Sequence, residues 1–582
     1  MLYPTLSELP TTRQNTDVFL GYNHNLRIAD GEFYDMQNMT SDEYPVLSPR
    51  RRRGTYAYPL DGQGLISKEK LCYVDNTAFV VGDQHVEMGL STKAEDCPKR
   101  LTSMGAYVII LPDKKYINTA DLDDFGDIEA TATISGEATF TLARVSGEDY
   151  EVTYTQAEAP EGAANVFWID TSSEPHSLKT WSATTKSWVT VATTYIKIAA
   201  PNIGKRFSLY DGVEISGLKG VANKDIAAID GSFIIWGKSD DYILVVGLID
   251  KTETLAVEMT VSRKMPELDF VTESENRLWG CRYGVSETGE MINEIYASKL
   301  GDFKNWRCYM GLSTDSYTVS VGTDGAFTGA CTHLGHPLFF KENCMHKLYG
   351  SYPANFQLQT TTLRGVQSGC DRSLAIVNET LFYKSRDAIC AYDGSLPIEI
   401  SSALGDEVYD SAVACGHGNK YYISMRGKDG YNLFVYDTKR GFWHREDDTR
   451  SRGFASHIGE LYYIDGLTGE IKTVNGSGKQ DENPVKWKAE TGIIGTDMPD
   501  KKYISRVNVR MSLDVGARMY IFAEYDSSGG WQHVTTVTGH SLRSFSIPIR
   551  PKRCDHMRLR FEGEGEAKIY SITRSIEQGS DY

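Results

Sequence analysis

One repeated unit constrains this chain more than anything else in it: a short apolar or alternating strand, a polar turn, and a second strand. Lys70-Leu71-Cys72-Tyr73-Val74 turns at Asp75-Asn76 into Thr77–Val81. Ile226–Ile229 turns at Asp230-Gly231 into Ser232–Trp236, and Pro337–Lys341 turns at Glu342-Asn343 into Cys344–Gly350. Leu374–Val377 turns at Asn378-Glu379 into Thr380–Tyr383. Lys420–Met425 is followed by Leu433–Asp437, and Glu460–Ile464 turns at Asp465-Gly466. Asp-Gly between apolar runs marks a hairpin because the turn needs positive φ, and Asp-Asn is a weaker form of the same signal. Comparable units return every 40 to 50 residues or so, the blade period of a β-propeller, in which small sheets share one core by packing in a ring. That period predicts about five to seven blades between roughly 56 and 480. Neither a WD nor a kelch signature is present.

Two stretches break the rhythm. Residues of about 125–205 contain Ala130–Ile134, Tyr150–Tyr154 and Trp188–Val191, strand-rich but without the blade turns, and predict a small β domain inserted in a propeller loop. The polar run Asn475–Pro484 reads as a linker. After it, short alternating strands such as Val507–Met511, Met519–Glu524, Ser544–Ile549 and Met557–Phe561 predict a C-terminal β-sandwich of jelly-roll type over 485–582. At the other end, residues 1–55 carry Pro4, Pro10, Pro45 and Pro49 and little periodicity, and predict an extended N-terminal arm lying along another surface. The expected fold class is therefore all-β: arm, propeller over 56–480 with its insertion, and sandwich.

Composition narrows the chemistry. Formal charge is −17, from 78 acidic and 61 basic residues, so the surface as a whole does not grip phosphates. The one dense basic run is Arg50-Arg51-Arg52-Arg53, the candidate contact for a neighbouring subunit or for nucleic acid. No apolar run reaches the 18 or so residues of a membrane-spanning helix, and Met1–Thr5 does not open a secretory signal. The ten cysteines form no C-x-x-C pair, and several sit in apolar strand contexts such as Leu71-Cys72-Tyr73 and Ile389-Cys390-Ala391, as expected of buried free thiols in a reducing compartment.

Motifs for chemistry are sparse. Cys331, His333, His336, Cys344 and His346 bring zinc-ligand types together, but their spacing fits no ribbon or finger, and they read as strand and loop positions. The sequence has no G-x-S-x-G, no phosphate loop and no H-E-x-x-H. Asp437, Glu446, Asp447 and Asp448 are the carboxylates a propeller glycosidase would draw on, yet His444–Asp448 reads as a solvated loop after a strand. Asp324-Gly325 and Asp465-Gly466 read as plain hairpin turns rather than calcium loops. On these grounds the chain is expected not to be an enzyme and to hold neither cofactor nor metal.

Several stretches resemble the packaged-DNA stabilisation, tail hub or nozzle proteins of short-tailed phages. Gly21-Tyr22-Asn23, Gly31-Glu32, Gln37-Asn38-Met39 and Tyr44–Arg50 are similar to that family's opening arm. Tyr296–Trp306 is similar to its blade motif, Phe339–Glu342 through His346 to Tyr349-Gly350 to the following hairpin, and Glu490–Gly492 through Arg506-Val507 to Met557–Arg560 to its terminal sandwich. The resemblance implies a virion protein of the phage tail, made in the host cytoplasm. Such a protein forms a ring, commonly a hexamer, below the portal and adaptor; it extends the DNA channel, helps retain packaged double-stranded DNA and anchors fibre or plug proteins. The alternative is a receptor- or glycan-binding propeller of the tail, with Trp and Tyr stacking on sugars, or a propeller glycosidase. The inserted domain departs from the family's simplest form.

Overall fold

A computed structural model describes residues 11–92, 98–286, 288–496 and 501–578. Met1–Pro10, with Pro4 and Pro10, and Cys97 lie outside the described residues. The chain is all-β, as its sequence predicts, and its repeated four-stranded antiparallel sheets are propeller blades. Among the described residues there are seven such four-strand sets, six as separate sheets and Asp410–Arg445 as part of a larger one: Gly62–Glu87, Arg100–Asp127, Phe270–Ser320, Gly329–Thr362, Ala375–Glu399, Asp410–Arg445 and Ser451–Thr473. The last contributes three strands and takes its fourth, Gly54–Ala57, from the N-terminal side.

The residues divide into two compact units, one of Met1–Leu101, Phe339–His346 and Thr360–Tyr582, the other of Thr102–Leu338 and Lys347–Gln359. Within the first, blade stacking explains the strand sequences. Leu71, Cys72, Tyr73 and Val74 are all buried, because a central blade strand is covered on both faces. In the seventh blade the period of two divides the work. Leu461 and Tyr463 pack against Tyr422, Leu433 and Val435 of the sixth blade. Ile464 packs, on the other face, with Leu71, Tyr73 and Val80 of the first. Blades six, seven and one are thus consecutive layers, with Gly54–Ala57 completing the layer between. The turns carry their predicted chemistry: Asn76 and Asn378 adopt φ of +54° and +48°.

The described part of the N-terminal arm is extended, as expected, but it lies on its own chain. Thr11–Thr16 pairs with the last strand, Ala567–Gln578. Gly21–Tyr22 pairs with Glu32-Phe33 and, through Tyr22, with Trp443 of the sixth blade. Glu32–Gln37 pairs with Lys486–Thr491. These short strands fuse the sixth blade and the C-terminal strands into one 13-stranded sheet. In the C-terminal region the 24-residue strand Lys502–Tyr525 runs beside Gln532–Ile547 along one edge. Along its other edge it pairs first with Ala567–Gln578 and then with Met557–Glu564, so one long hairpin serves two parts of the sheet. The supposed linker Asn475–Pro484 is held against Gly54–Tyr58, with Thr55 N donating to Lys479 O at 2.8 Å.

The second unit contains the insertion, which extends beyond the predicted 125–205. Its seven-stranded sheet runs from Ala130–Ala143 to Glu253–Arg263, and a four-stranded sheet, Val152–Thr190, interrupts it. The hairpin expected at Asp230-Gly231 is absent on its first side, because Lys224–Ala227 is helical. Asn223 caps it, its Oδ1 accepting from the N–H groups of Asp225 and Ile226. Asp230 instead accepts backbone N–H bonds from Gly217, Leu218 and Lys219.

The Tyr296–Trp306 motif works as a staple in this unit. Gly301, at φ +71°, makes the turn, and Trp306 is 1% exposed with its indole N–H on Phe303 O. Asn305 donates to Asp211 and Asp302 and accepts from Gly212 N, while Arg263 pairs with Asp211 at 2.5 Å. The stretch that carries the family resemblance therefore ties the insertion to the third blade.

Candidate functional site

The four arginines fall in the crevice between blades six and seven, where the chain threads from the arm towards Gly54–Ala57. They do not form a basic patch. Arg50 and Arg53 turn inward, each 6% exposed, and Arg51 and Arg52 point outward. All five N–H donors of Arg50 are used. Nε donates to Asn38 Oδ1 at 2.7 Å; Nη1 donates to Arg51 O and Glu482 Oε2; Nη2 donates to Glu482 Oε1 at 2.6 Å and to Asp447 Oδ2 at 3.3 Å. Arg53 donates to Glu446 at 2.8 Å, to Thr449 and to Tyr463 OH, and its guanidinium lies 5.3 Å from the Tyr463 ring centre. Arg52 donates to Glu482 O. Arg50 and Arg53 are thereby taken out of the predicted subunit or DNA contact, because buried carboxylates already claim their donors. Arg51 is exposed, and among the described residues its side chain meets no carboxylate.

The electrostatics follow from this packing. Burial opposes the charge of Arg53, but Asp447, Tyr463 and Glu446 push its pKa well above the usual value. Burial likewise opposes ionisation of Asp447, yet Arg53 and Arg50 bring it down to about 2. Glu482 is lowered in the same way, Arg50 outweighing burial. His444–Asp448 is accordingly no solvated loop: His444 is 1% and Glu446 2% exposed, and only Asp448 stands out in solvent. Burial lowers the His444 pKa well below normal, and both its ring nitrogens lack a hydrogen-bond partner. Asp437 is buried and accepts from Ser41 Oγ at 2.7 Å and from the N–H groups of Lys439 and Arg440.

Two cavities flank the threaded segment. One, of about 410 Å³, is lined by Ser41, Asp42, Arg51, His417, Lys420, Lys439, Arg440 and Asn475 among others. The other, of about 400 Å³, is lined by Arg53, Asp447, Asp448, Arg450, Asp465, Glu470, Lys472, Asp481 and Glu482, and is rich in carboxylates. Asp465 pairs with Lys472 and accepts from Leu467 and Thr468 N–H, which makes Asp465-Gly466 the plain turn that was expected.

Of the predicted zinc-type residues, Cys344 Sγ lies 3.8 Å from His346 Nε2, and His346 Nδ1 is 2.8 Å from Thr360 Oγ1. Burial, then Lys341, lowers the His346 pKa to about 4. Among the described residues no group of three His, Cys, Asp or Glu is gathered to hold a metal. The nine described cysteines are free thiols; burial raises Cys72 and Cys308 to about 11.

A second feature is a bare strand edge. Gln532–Ile547 pairs with Lys502–Tyr525, and among the described residues nothing pairs with its far side. Ser541, Leu542, Arg543 and Ser544 are exposed in succession, so this stretch is open on both faces as well as along its edge. From Gln532 to Arg553 the chain carries four cations (Arg543, Arg550, Lys552, Arg553) and no carboxylate, in a protein of charge −17. The same sheet ends on its other side at Thr11–Thr16, whose outer edge is likewise unpaired among the described residues. Nothing in the local sequence distinguished this edge from a paired strand; the lack of acidic residues was its one legible signal.

No family model matches the chain, and no curated protein matches it. Among solved structures it is similar to an exo-β-1,3-galactanase from Phanerochaete chrysosporium (9% identity, 52% of this chain and 94% of that one, TM-score 0.20). It is also similar to AztD from Citrobacter koseri (9%, 74% and 95%, TM-score 0.25). A third is an acylaminoacyl peptidase from Pyrococcus horikoshii (11%, 54% and 55%, TM-score 0.23). The expectation that the chain is not an enzyme is corrected by these neighbours, glycoside hydrolases among them, and no longer stands. At such TM-scores the likeness transfers no reaction or substrate.

Two outcomes test the crevice. Arg50→Ala leaves Glu482 and Asp447 without their cation and destabilises the protein by about 3–5 kcal/mol, whereas Arg51→Ala changes stability by less than about 0.5 kcal/mol, measured by urea unfolding. The second concerns pH. With Asp447 held near 2 against an ordinary 3.8, its contribution of about 2 kcal/mol is present above pH 3.8 and is lost as pH falls through 2. Hydrogen exchange across 446–482 loses protection over that window, and Asp447→Asn flattens the loss.

Proposed function

We propose that this chain is a structural component of a phage tail, the hub or nozzle ring below the portal and adaptor, built from identical copies joined through strand edges. The bare Gln532–Ile547 edge carries the reading. Unpaired backbone N–H and C=O groups along a long strand recruit another strand unless short length, proline, bulges or inward charge blunt them; the ladder of this strand is irregular around His540 and regular over Arg543–Ile547. Among the described residues the C-terminal part of this sheet has two such edges, Gln532–Ile547 and Thr11–Thr16, the sheet's third end being the blade strand Asp410–His417. Joining the first of one copy to the second of the next is a head-to-tail contact, and head-to-tail contacts close into rings when the rotation allows. The resemblance through Gly21–Arg50 and Tyr296–Trp306 supplies the setting: a virion location, packaged DNA in the lumen, and fibre or plug proteins as neighbours.

A second reading, a glycan-binding role for the insertion, is favoured by one observation. In its four-stranded sheet Tyr154 pairs with Trp168, Trp168 with Lys179, and Trp181 with Trp188, which puts three tryptophans and a tyrosine on one face, with Trp168 buried and Trp181 and Trp188 half-buried. Aromatic faces beside polar groups are where sugars stack.

Electron microscopy and light scattering of the purified protein test the first reading: closed rings are expected. Leu542 is 53% exposed, and Leu542→Lys puts a charge on the edge and yields folded single copies. A wild-type protein that stays a single copy at micromolar concentration sinks the ring. For the second reading, a glycan array shows a defined set of bound sugars that Trp188→Ala abolishes; an empty array dismisses it.

A further inference from the structure

We infer that the cavity lined by Arg51, Lys420, Lys439 and Arg440 is a binding site for a phosphorylated sugar, a function separate from ring formation. The cavity, about 410 Å³, is the size of a one-sugar ligand. Its lining holds four cations against two carboxylates, Asp42 and Asp437. Both carboxylates are already engaged. Lys420 Nζ sits 2.6 Å from Asp42 and, outweighing burial, lowers its pKa. Asp437 is held by Ser41 and by two backbone N–H groups.

The other cations are not neutralised in this way. Among the described residues neither Arg51 nor Lys439 meets a carboxylate, although acidic residues outnumber basic ones by 78 to 61. Arg440 lies 4.3 Å from the centre of the Tyr44 ring, which holds its guanidinium in place without using its N–H donors. The cavity thus presents many donors and few vacant acceptors, the pattern that suits an oxyanion with several acceptor oxygens. Beside the cations stand neutral hydrogen-bonding groups. These are the amides of Asn419 and Asn475, while both ring nitrogens of His417 are already engaged, Nε2 with Asn475 Nδ2 at 3.2 Å and Nδ1 with Ser456 Oγ at 2.8 Å. Cations for a phosphate beside polar groups for hydroxyls define a sugar phosphate better than either free phosphate or a bare sugar. A duplex backbone is disfavoured because the cations surround a hollow and do not follow a ridge.

Calorimetry on the full chain tests this with four probes: inorganic phosphate, a hexose monophosphate, the parent hexose, and a 20-base-pair duplex. The hexose monophosphate is expected to bind at least tenfold more tightly than phosphate or hexose alone. Arg51→Ala and Lys439→Ala, both on exposed side chains, are each expected to weaken it about tenfold while leaving unfolding and ring formation unchanged. Equal affinity for the parent hexose, or undiminished binding by both variants, overturns the site. Binding of the duplex that the same variants abolish, with no binding of the hexose monophosphate, replaces the sugar with nucleic acid and also overturns it. Because ring formation is read separately, a protein that fails to bind but still forms rings leaves the proposed function standing.

Discussion

Two buried guanidinium groups hold the N-terminal segment in the crevice between blades six and seven, and much of the first unit depends on them. Taking a charge out of water is costly, so a buried arginine is best held where every donor finds an acceptor; Arg53 keeps one buried donor, Nε, unpaired. Arg50 meets that condition in full. With residues 50–53 fixed, Gly54–Ala57 is delivered to the seventh blade as its fourth strand. Upstream, the same path places Tyr22 against Trp443 and Glu32–Gln37 against Lys486–Thr491. One electrostatic anchor therefore organises both the completion of the propeller's last sheet and the attachment of the C-terminal strands to the sixth blade.

That economy has a consequence for assembly. The described part of the arm is folded back on its own chain, so the contact proposed between copies rests on the strand edges that remain. The sheet that gains Thr11–Thr16 at one side and Gln532–Ile547 at the other keeps its hydrogen-bonding groups open at both. Of the outward arginines, Arg51 belongs to a cavity and not to a basic ridge. The run that looked in the sequence like a single polycation thus divides between two inward structural ties, Arg50 and Arg53, and two outward side chains, Arg51 at a cavity and Arg52 on the carbonyl of Glu482.

Much of the architecture could be read before the structure was seen. The period of the strand–turn units gave a propeller, and the turns at Asp75-Asn76, Asn378-Glu379 and Gly301-Asp302 appear where short polar pairs interrupt apolar runs. Trp306 is buried as its context suggested. The misreadings have a common cause. Ile226–Ile229 looks like a strand by hydrophobicity, but Asn223 caps a helical turn there. Asn475–Pro484 looks like a linker by polarity, but Glu482 is the partner of Arg50. His444–Asp448 looks solvated by charge, but its carboxylates face the arginines. In each case a local property was correct and a distant or capping partner reversed its meaning.

The division between the two levels is a matter of range. Alternation of side chains and the positive φ of turn residues act over a few positions, and so the amino-acid order alone determined that this chain forms short antiparallel strands gathered into blades. Which charges are buried, which strand completes which blade and which edge is left bare depend on groups far apart in the chain. Arg50 and Glu482 are 432 residues apart, and no local pattern records that they meet. Only the folded chain decides that pairing, because the energy of a buried charge is set by what surrounds it in space.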